Sequence, residues 1–463
     1  MCILDTVEKR PNWLMRFLDK HLTTSQFTAK QIIDLYIPMV LDQFSIYVIG
    51  ILSSAMVSAS SQEAISATSL VSSLAFMVVA LFSAMSTGGT VLVAQAKGRG
   101  DEKEIRRVCG QVISVATLIS IISTAILVGL ADPIVNLLFG DVDPLIKEYG
   151  ITYLRLYGLS FVPFAIYLAV TACFRGMGKA KQCLVLTIII NVVHLFGSFL
   201  FINGLDMGVA GSGLSFIVAR VIGAAAAVII LFFINNTISI RFGDLFRVSF
   251  DFIKKLIRLA FPFALEQMLF NGGSVLTSTY IAKLATESIA ANGIAVSLQS
   301  LFFTAAFAMQ NLIMTVCGQC IGAKKHDLAR YYTEKVIKFG RFLILANVLI
   351  VFPLLPLLML LYQPTALAEP IVYQLLTIGS IAWILFWCDG YLIPACLRSA
   401  GDATFTTVVC LIAMWVARVA CGYVLTITLG LGIHAVWCTF FIEYLIRIVI
   451  FRIRFKGTKW IKM

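Results

Sequence analysis

Pro38-Met-Val-Leu-Asp42-Gln43 and Pro262-Phe-Ala-Leu-Glu266-Gln267 are one phrase written twice, 224 positions apart. At that shift residues 38–98 align with 262–322 without a gap, with about 14 of the 61 positions identical. Glu63, Ile65 and Ala67 match Glu287, Ile289 and Ala291, and Gln95 and Gly98 match Gln319 and Gly322. Further on, at a shift of 223, Ala172-Cys173, Arg175, Gly178 and Ala180 match Ala395-Cys396, Arg398, Gly401 and Ala403. Apolar stretches share Leu and Ala by chance, but not a proline, an acid and a glutamine in register. The chain is a duplication.

The duplicated unit reads as a membrane bundle. Of the 463 residues 60% are apolar and 13% charged, with a mean hydropathy of +0.94. Soluble proteins carry roughly 45–50% apolar and about 25% charged residues, so this charge cannot cover a water-facing surface. Twelve apolar segments lie near 32–57, 64–95, 108–130, 149–173, 182–203, 208–234, 256–282, 288–320, 337–362, 370–396, 404–428 and 432–452. They are continuously apolar and long enough to span a bilayer as helices, and they lack the short alternating pattern of barrel strands. The expected fold is all-α: twelve transmembrane helices in two six-helix pseudo-repeats. An even helix number keeps the two copies in parallel orientation, related by an axis along the membrane normal. The predicted organisation is an interfacial segment 1–31, an N-lobe 32–234, a linker 235–255, a C-lobe 256–452 and a basic tail 453–463.

Charge position gives the orientation. The tails and even-numbered loops, with their helix ends, hold 31 of the 36 Lys and Arg residues; the odd-numbered loops hold only Lys147 and Lys283. Under the positive-inside rule both termini are cytoplasmic. The net charge of +12 is thus a topology signal, and no nucleic-acid partner is expected. The first 30 residues mix Lys9, Arg10, Arg16 and Lys20 with Trp13, Leu14, Phe17 and Leu18, as an interfacial helix does. No cleavable leader is predicted, because the first long apolar run starts only near Ile32. A monomer in the lipid bilayer is expected.

Ionisable residues inside membrane segments are costly and mark candidate sites. Asp42 and Glu266 hold equivalent positions in segments 1 and 7, each about one helical turn after a proline. Each could bind a cation or carry a proton, or could pair with a fixed arginine; Gln267 stands beside the second. Asp389 lies within Trp387-Cys388-Asp389-Gly390-Tyr391, where an acid among aromatic rings suits an organic cation. The alternative is a hydrogen bond closing the Gly390–Pro394 break. Asn191 and His194 share one face of segment 5, and His194 could titrate or bond a backbone carbonyl. Arg155, Arg220 and Arg418 fall inside segments and could neutralise a buried acid or meet an anionic group. Glu443, one turn before Arg447, reads as an intrahelical pair.

Little points to catalysis. Eleven cysteines, mostly inside apolar runs, read as reduced buried residues. Cys317-Gly-Gln-Cys320 is a CxxC whose repeat equivalents are Val93 and Ala96. Gly98-Arg-Gly100-Asp101 and Gly176-Met-Gly178-Lys179 are turns without phosphate-loop spacing. With no HExxH or GxSxG and four histidines, neither an enzyme, a metal nor a cofactor is expected.

The Gln95-Ala-Lys-Gly98 and Gln319-Cys-Ile-Gly322 segment ends resemble the multidrug and toxic compound extrusion (MATE) family. So do the turns Arg175-Gly-Met-Gly178 and Leu397-Arg398-Ser-Ala-Gly401-Asp402. The resemblance spans nearly the whole chain. It implies a V-shaped pair of bundles in the cell membrane, expelling cationic amphipathic compounds in exchange for Na⁺ or H⁺. Members often carry an acid late in helix 1, where this chain has Gly50-Ile-Leu-Ser53-Ser54-Ala55. Others show Asn and Asp on helix 5, where this chain reads Asn191-Val-Val-His194-Leu-Phe-Gly-Ser198. Glu266 and Asp389 resemble the second-lobe acids of helices 7 and 10. The expected cation or substrate site is therefore Glu266 with Asp389, with Asp42, Asn191, His194 and Gln267 as further candidates. Two other readings stand beside it. A flippase for a lipid-linked or anionic substrate would line the central cavity with Arg155, Arg220 and Arg418. A non-transporting scaffold would show no flux.

Overall fold

The computed structural model describes residues 19, 22–57, 62–140, 144–205, 207–234, 242–245 and 249–461. Most of the predicted interfacial segment, and residues 235–241 and 246–248 of the linker, lie outside these. Among the described residues there is no strand, and helices satisfy the backbone of an apolar chain inside lipid.

Besides the short helices Ala131–Phe139 and Phe242–Leu245, twelve long helical segments among the described residues correspond to the predicted spans. They are α1 (Ala29–Val57), α2 (Gln62–Arg99), α3 (Glu102–Gly129), and α4 (Pro144–Leu159, resuming as Phe161–Gly176). Then come α5 (Ala180–Ser198, extended to Gly204) and α6 (Gly208–Ile229, extended to Ile234). The second half holds α7 (Phe250–Ile281), α8 (Thr286–Gly322), α9 (His326–Tyr362), α10 (Ala368–Ser399), α11 (Ala403–Thr428) and α12 (Gly432–Lys456). Among the described residues ten helices are long and apolar enough to cross a membrane, and the α4 pair, bent by 40°, makes an eleventh. The bend has a local cause: Pro163 cannot donate to the Leu159 carbonyl and its ring crowds it. The remaining segment, α7, is too polar for that test; Glu266, Gln267, Asn271, Ser274, Thr277 and Ser278 all lie on it.

Helices overrun their apolar runs at the end rich in Lys and Arg, the basic face. Thus α7 begins at Phe250, inside the predicted linker 235–255, with the Ser249 hydroxyl capping the Phe252 N–H at 3.4 Å. Likewise α12 continues to Lys456, into the predicted tail.

The lobes exchange their first helices at the basic face. Leu22, Phe27, Ile32, Leu35 and Met39, in and just before α1, pack in the core of the C-lobe. Phe252, Leu256, Leu259, Ala260 and Ala264 of α7 pack in the core of the N-lobe. Between them α2 and α8 cross at closest approach. A Cβ on Gly98 would stand 2.0 Å from the Gln319 carbonyl oxygen, and one on Gly322 would stand 2.0 Å from that of Gln95. Only glycine fits either place. The same two helices carry reciprocal bonds: Gln95 Nε2 donates to Ser399 O at 2.7 Å, and Gln319 Nε2 donates to Gly176 O at 3.0 Å. Gly178 and Gly401, at φ of 78° and 88°, turn the chain after the two accepting residues. The repeat is therefore a symmetry of the contact as well as of the sequence.

Candidate functional site

The C-lobe encloses a pocket of about 400 Å³, within the range of small-molecule sites. Its wall follows helical spacing. Phe270, Ser274, Thr277 and Ile281 come from one face of α7, and Asn292, Val296, Ser300, Phe303 and Phe307 from one face of α8. Trp387 and Tyr391 of α10 stack at 4.8 Å, one turn apart. Trp437, Phe440 and Tyr444 of α12 complete an aromatic wall, and Trp437 Nε1 donates to Asn292 Oδ1 at 3.0 Å. Tyr47 of α1 is the N-lobe's contribution, so the pocket faces the other lobe.

Two departures from regular helix aim its side chains. Trp383–Trp387 and Trp415–Cys421 are widened, π-type turns, which recur at functional positions because they rotate the following residues. The first precedes Tyr391 and carries Trp387; the second carries Arg418. Arg418 is the only charged residue on the pocket wall among those described. Its Nε donates to Glu443 Oε2 at 2.6 Å, and its guanidinium lies 4.1 Å from the Phe440 ring centre. Glu443 also meets Arg447 at 2.6 Å. The intrahelical pair of the sequence is thus present, extended across helices by Arg418. One fully buried carboxylate between two arginines leaves a net positive charge behind the aromatic wall.

The remaining candidates fall in separate places. Glu266 is held by Arg398 Nη2 at 2.6 and 2.9 Å and by the Thr407 hydroxyl at 3.0 Å. Arg398 in turn donates to Thr406 Oγ1 at 3.0 Å. Asp389 is 2% exposed and bonded to Arg341 and Arg452. It projects from the side of α10 opposite Trp387 and Tyr391, because i+2 lies across a helix from both i and i+4. The structure therefore does not join Glu266 and Asp389, nor place either on the pocket wall. Gln267 is partly buried next to Glu266 and is also off that wall.

Among the described residues no hydrogen bond joins Asp42, Asn191 and His194. His194 Nδ1 bonds Ser215 Oγ at 2.8 Å, which bonds Ser198 Oγ at 2.8 Å, and the ring stacks on Phe216 at 4.2 Å. The buried Asn191 Nδ2 has no hydrogen-bond partner among the described residues. Arg220 donates to Ser160 Oγ at 2.5 Å and Tyr157 OH at 2.8 Å, among the rings of Tyr157, Phe164 and Phe216. Arg155 pairs with Asp132 at 2.5 Å, half exposed. Asp42 is 4% exposed, within electrostatic reach of Tyr167 and Cys183, and its Oδ1 accepts no hydrogen bond from the described residues. Among the described residues it is the one buried carboxylate without an arginine partner. Its repeat mate Glu266 has Arg398; the position equivalent to Arg398 is Arg175, which forms no ion pair with Asp42.

The aromatic wall escaped the sequence reading, although spacings such as Phe303/Phe307 and Phe440/Tyr444 signal it. The ten described cysteines are unpaired and eight are buried, Cys317 and Cys320 among them. No metal-binding group of His, Cys, Asp and Glu occurs among the described residues.

Paired six-helix lobes that close on one face, with a pocket on the inner side of one of them, define a two-lobed membrane transporter. The sequence profile of the MatE family matches residues 38–200 and again residues 262–424, the same 224-residue step. The chain belongs to the MatE family. It is 25% identical over 415 residues to the uncharacterized transporter YisQ of Bacillus subtilis, covering 88% of this chain and 90% of YisQ. It is 24% identical over 442 residues to the probable multidrug resistance protein NorM of Thermotoga maritima, covering 94% and 93%. Its fold matches an outward-facing multidrug resistance MATE family transporter of the MOP superfamily. The TM-score is 0.83 at 18% identity, over 93% of this chain and 96% of the other.

Proposed function

We propose that the protein is a multidrug efflux transporter that moves amphipathic organic compounds across the cell membrane by alternating access. The observation that carries this is the aromatic pocket on the inner side of the C-lobe, with the two lobes joined on the basic face. Ring faces accept many flat or greasy shapes without a fixed hydrogen-bond pattern and favour organic cations. By charge the basic face is cytoplasmic, with both termini on that side. The pocket then communicates with the opposite side of the membrane, the release arm of an export cycle.

Exchange for Na⁺ or H⁺ needs a buried acid that gains and loses a cation, and Asp42 suits this best. A carboxylate already held by arginine, as Glu266 and Asp389 are, must first break that pair. A second reading, a flippase for an anionic amphiphile, is favoured by one observation: Arg418 is the charged group on the pocket wall. Efflux from proteoliposomes, measured for a cationic and an anionic dye under separately imposed Na⁺ and pH gradients, tests both. Gradient-driven loss of the cationic dye is expected. Movement of the anionic dye alone would select the flippase, and no flux of either dye would remove both readings.

A further inference from the structure

The duplicated scaffold makes two pockets at the basic face, and the sequence gives them different chemistry. One, of about 400 Å³, includes Gln31, Asp34, Gly178, Lys181 and Gln319. The other, of about 890 Å³, includes Lys255, Arg258, Gly401, Thr404 and Gln95. These are the same five positions, displaced by 224 or 223 residues. The pocket itself is thus a product of the fold, whereas its charge is not. Where the smaller pocket has Gln31 and Asp34 on α1, the larger has Lys255 and Arg258 on α7. Arg107 of α3 adds a third cation, where the repeat equivalent is Tyr331.

Arg99 also lines the larger pocket, but Glu104 holds it at 2.8 Å. Arg107, Lys255 and Arg258 make no ion pair among the described residues, although Asp251 shares the pocket. Leu92, Val108 and Phe252 give an apolar floor beneath these cations. Thr404, in the first turn of α11, brings helix N-terminal N–H groups to the same space. Guanidinium groups, an ammonium and a helix start above apolar side chains are the donors a phosphate-bearing amphiphile needs.

We propose that this larger pocket binds a phosphate group, carried by an anionic lipid or free in solution, and that the ligand clamps the lobes together at the basic face. Arg107 on α3 and Lys255 and Arg258 on the basic end of α7, which packs in the N-lobe core, share the pocket with Gly401 and Thr404 of the C-lobe, and Gln95 is both a lining residue and the donor to Ser399. A ligand that reaches from these cations to the α11 start at Thr404 holds both lobes in the closed arrangement and binds less well once they part.

The test uses the purified full-length chain in detergent. Phosphatidylglycerol, phosphatidylcholine and inorganic phosphate are titrated separately. Melting temperature and the acylation rate of Lys255 by a water-soluble ester are followed, the latter by peptide mass spectrometry. Phosphatidylglycerol is expected to raise the melting temperature saturably and to slow Lys255 acylation by about tenfold or more. Lys179 and Lys181 of the smaller pocket should react as before. Protection by millimolar phosphate as well identifies the free anion as a source; protection by phosphatidylglycerol alone identifies the lipid headgroup. The Arg107→Gln/Lys255→Gln/Arg258→Gln variant should lose the melting shift. The proposal is overturned if that variant keeps the full shift, or if Lys255 reacts equally fast with phosphatidylglycerol, phosphatidylcholine and phosphate. The acylation readout needs no substitution, so a variant that folds poorly does not shield the idea.

Discussion

Gln95 and Gln319 are repeat mates that reach across the same seam in opposite directions, one to the Ser399 carbonyl and the other to the Gly176 carbonyl. Each bond contributes about 1 kcal/mol to closure of the basic face, so the pair biases the seam without locking it. That is the behaviour a reversible gate requires.

Gly98 tests the seam most sharply. Gly98→Ala puts a methyl group 2.0 Å from the Gln319 carbonyl oxygen, a backbone atom that cannot swing aside. The lobes must separate at that end. The buried Cys320 thiol should then react with a maleimide far faster than in the parent protein, and dye efflux should fall. Unchanged Cys320 labelling would show that the helices absorb the methyl group by sliding.

Asp42 and Glu266 should respond differently to loss of charge. Asp42→Asn removes no ion pair, so the melting temperature should stay within the change expected for about 1 kcal/mol. Gradient-driven efflux should fall at least tenfold, for want of a titrating or cation-binding group. Intact gradient-driven efflux in this variant would strip Asp42 of its coupling role.

Glu266→Gln leaves Arg398, a buried cation, without its partner. Removing one member of a buried pair costs about 3 kcal/mol or more, and the expected result is a protein that melts several degrees lower. Glu443→Gln should be worse, because two arginines, Arg418 and Arg447, lose the same carboxylate. Thermal melts of the two variants side by side check the order; the reverse order would mean that water, not Glu443, screens the arginine pair.

Trp387→Ala removes the larger partner of the Trp387–Tyr391 stack. Loss of one desolvated aromatic wall weakens an amphipathic cation by roughly 1–2 kcal/mol, near tenfold in Kd by fluorescence titration. Asp389→Asn, two residues away but on the other face, should lower the melting temperature and leave dye affinity as it was. Equal losses of affinity in both variants would place Asp389 on the substrate path.

The fold was legible because two patterns agreed: hydropathy divided the chain into twelve spans, and the repeated Pro38 and Pro262 phrases set them in two groups of six. What hydropathy missed were the charged helix ends. Lys254 and Lys255 look like a loop, yet α7 starts ahead of them because they face water at the basic end. The acids were visible as costly residues, and so was Arg447 as a partner of Glu443, but not the partners that come from other helices. Arg398 lies 132 positions from Glu266, and no local spacing predicts such a pairing. The pocket was the least legible part, since an aromatic wall drawn from several helices looks in each helix like ordinary packing.

The crossing of α2 over α8 has an evolutionary reading. Each half supplies one glutamine donor, one carbonyl acceptor and one glycine to the contact, so the surface is complementary to itself. That is the condition for an isologous dimer of identical subunits. A single six-helix chain bearing Gln95, Gly98 and the Gly176 carbonyl has the contacts to close on a second copy of itself.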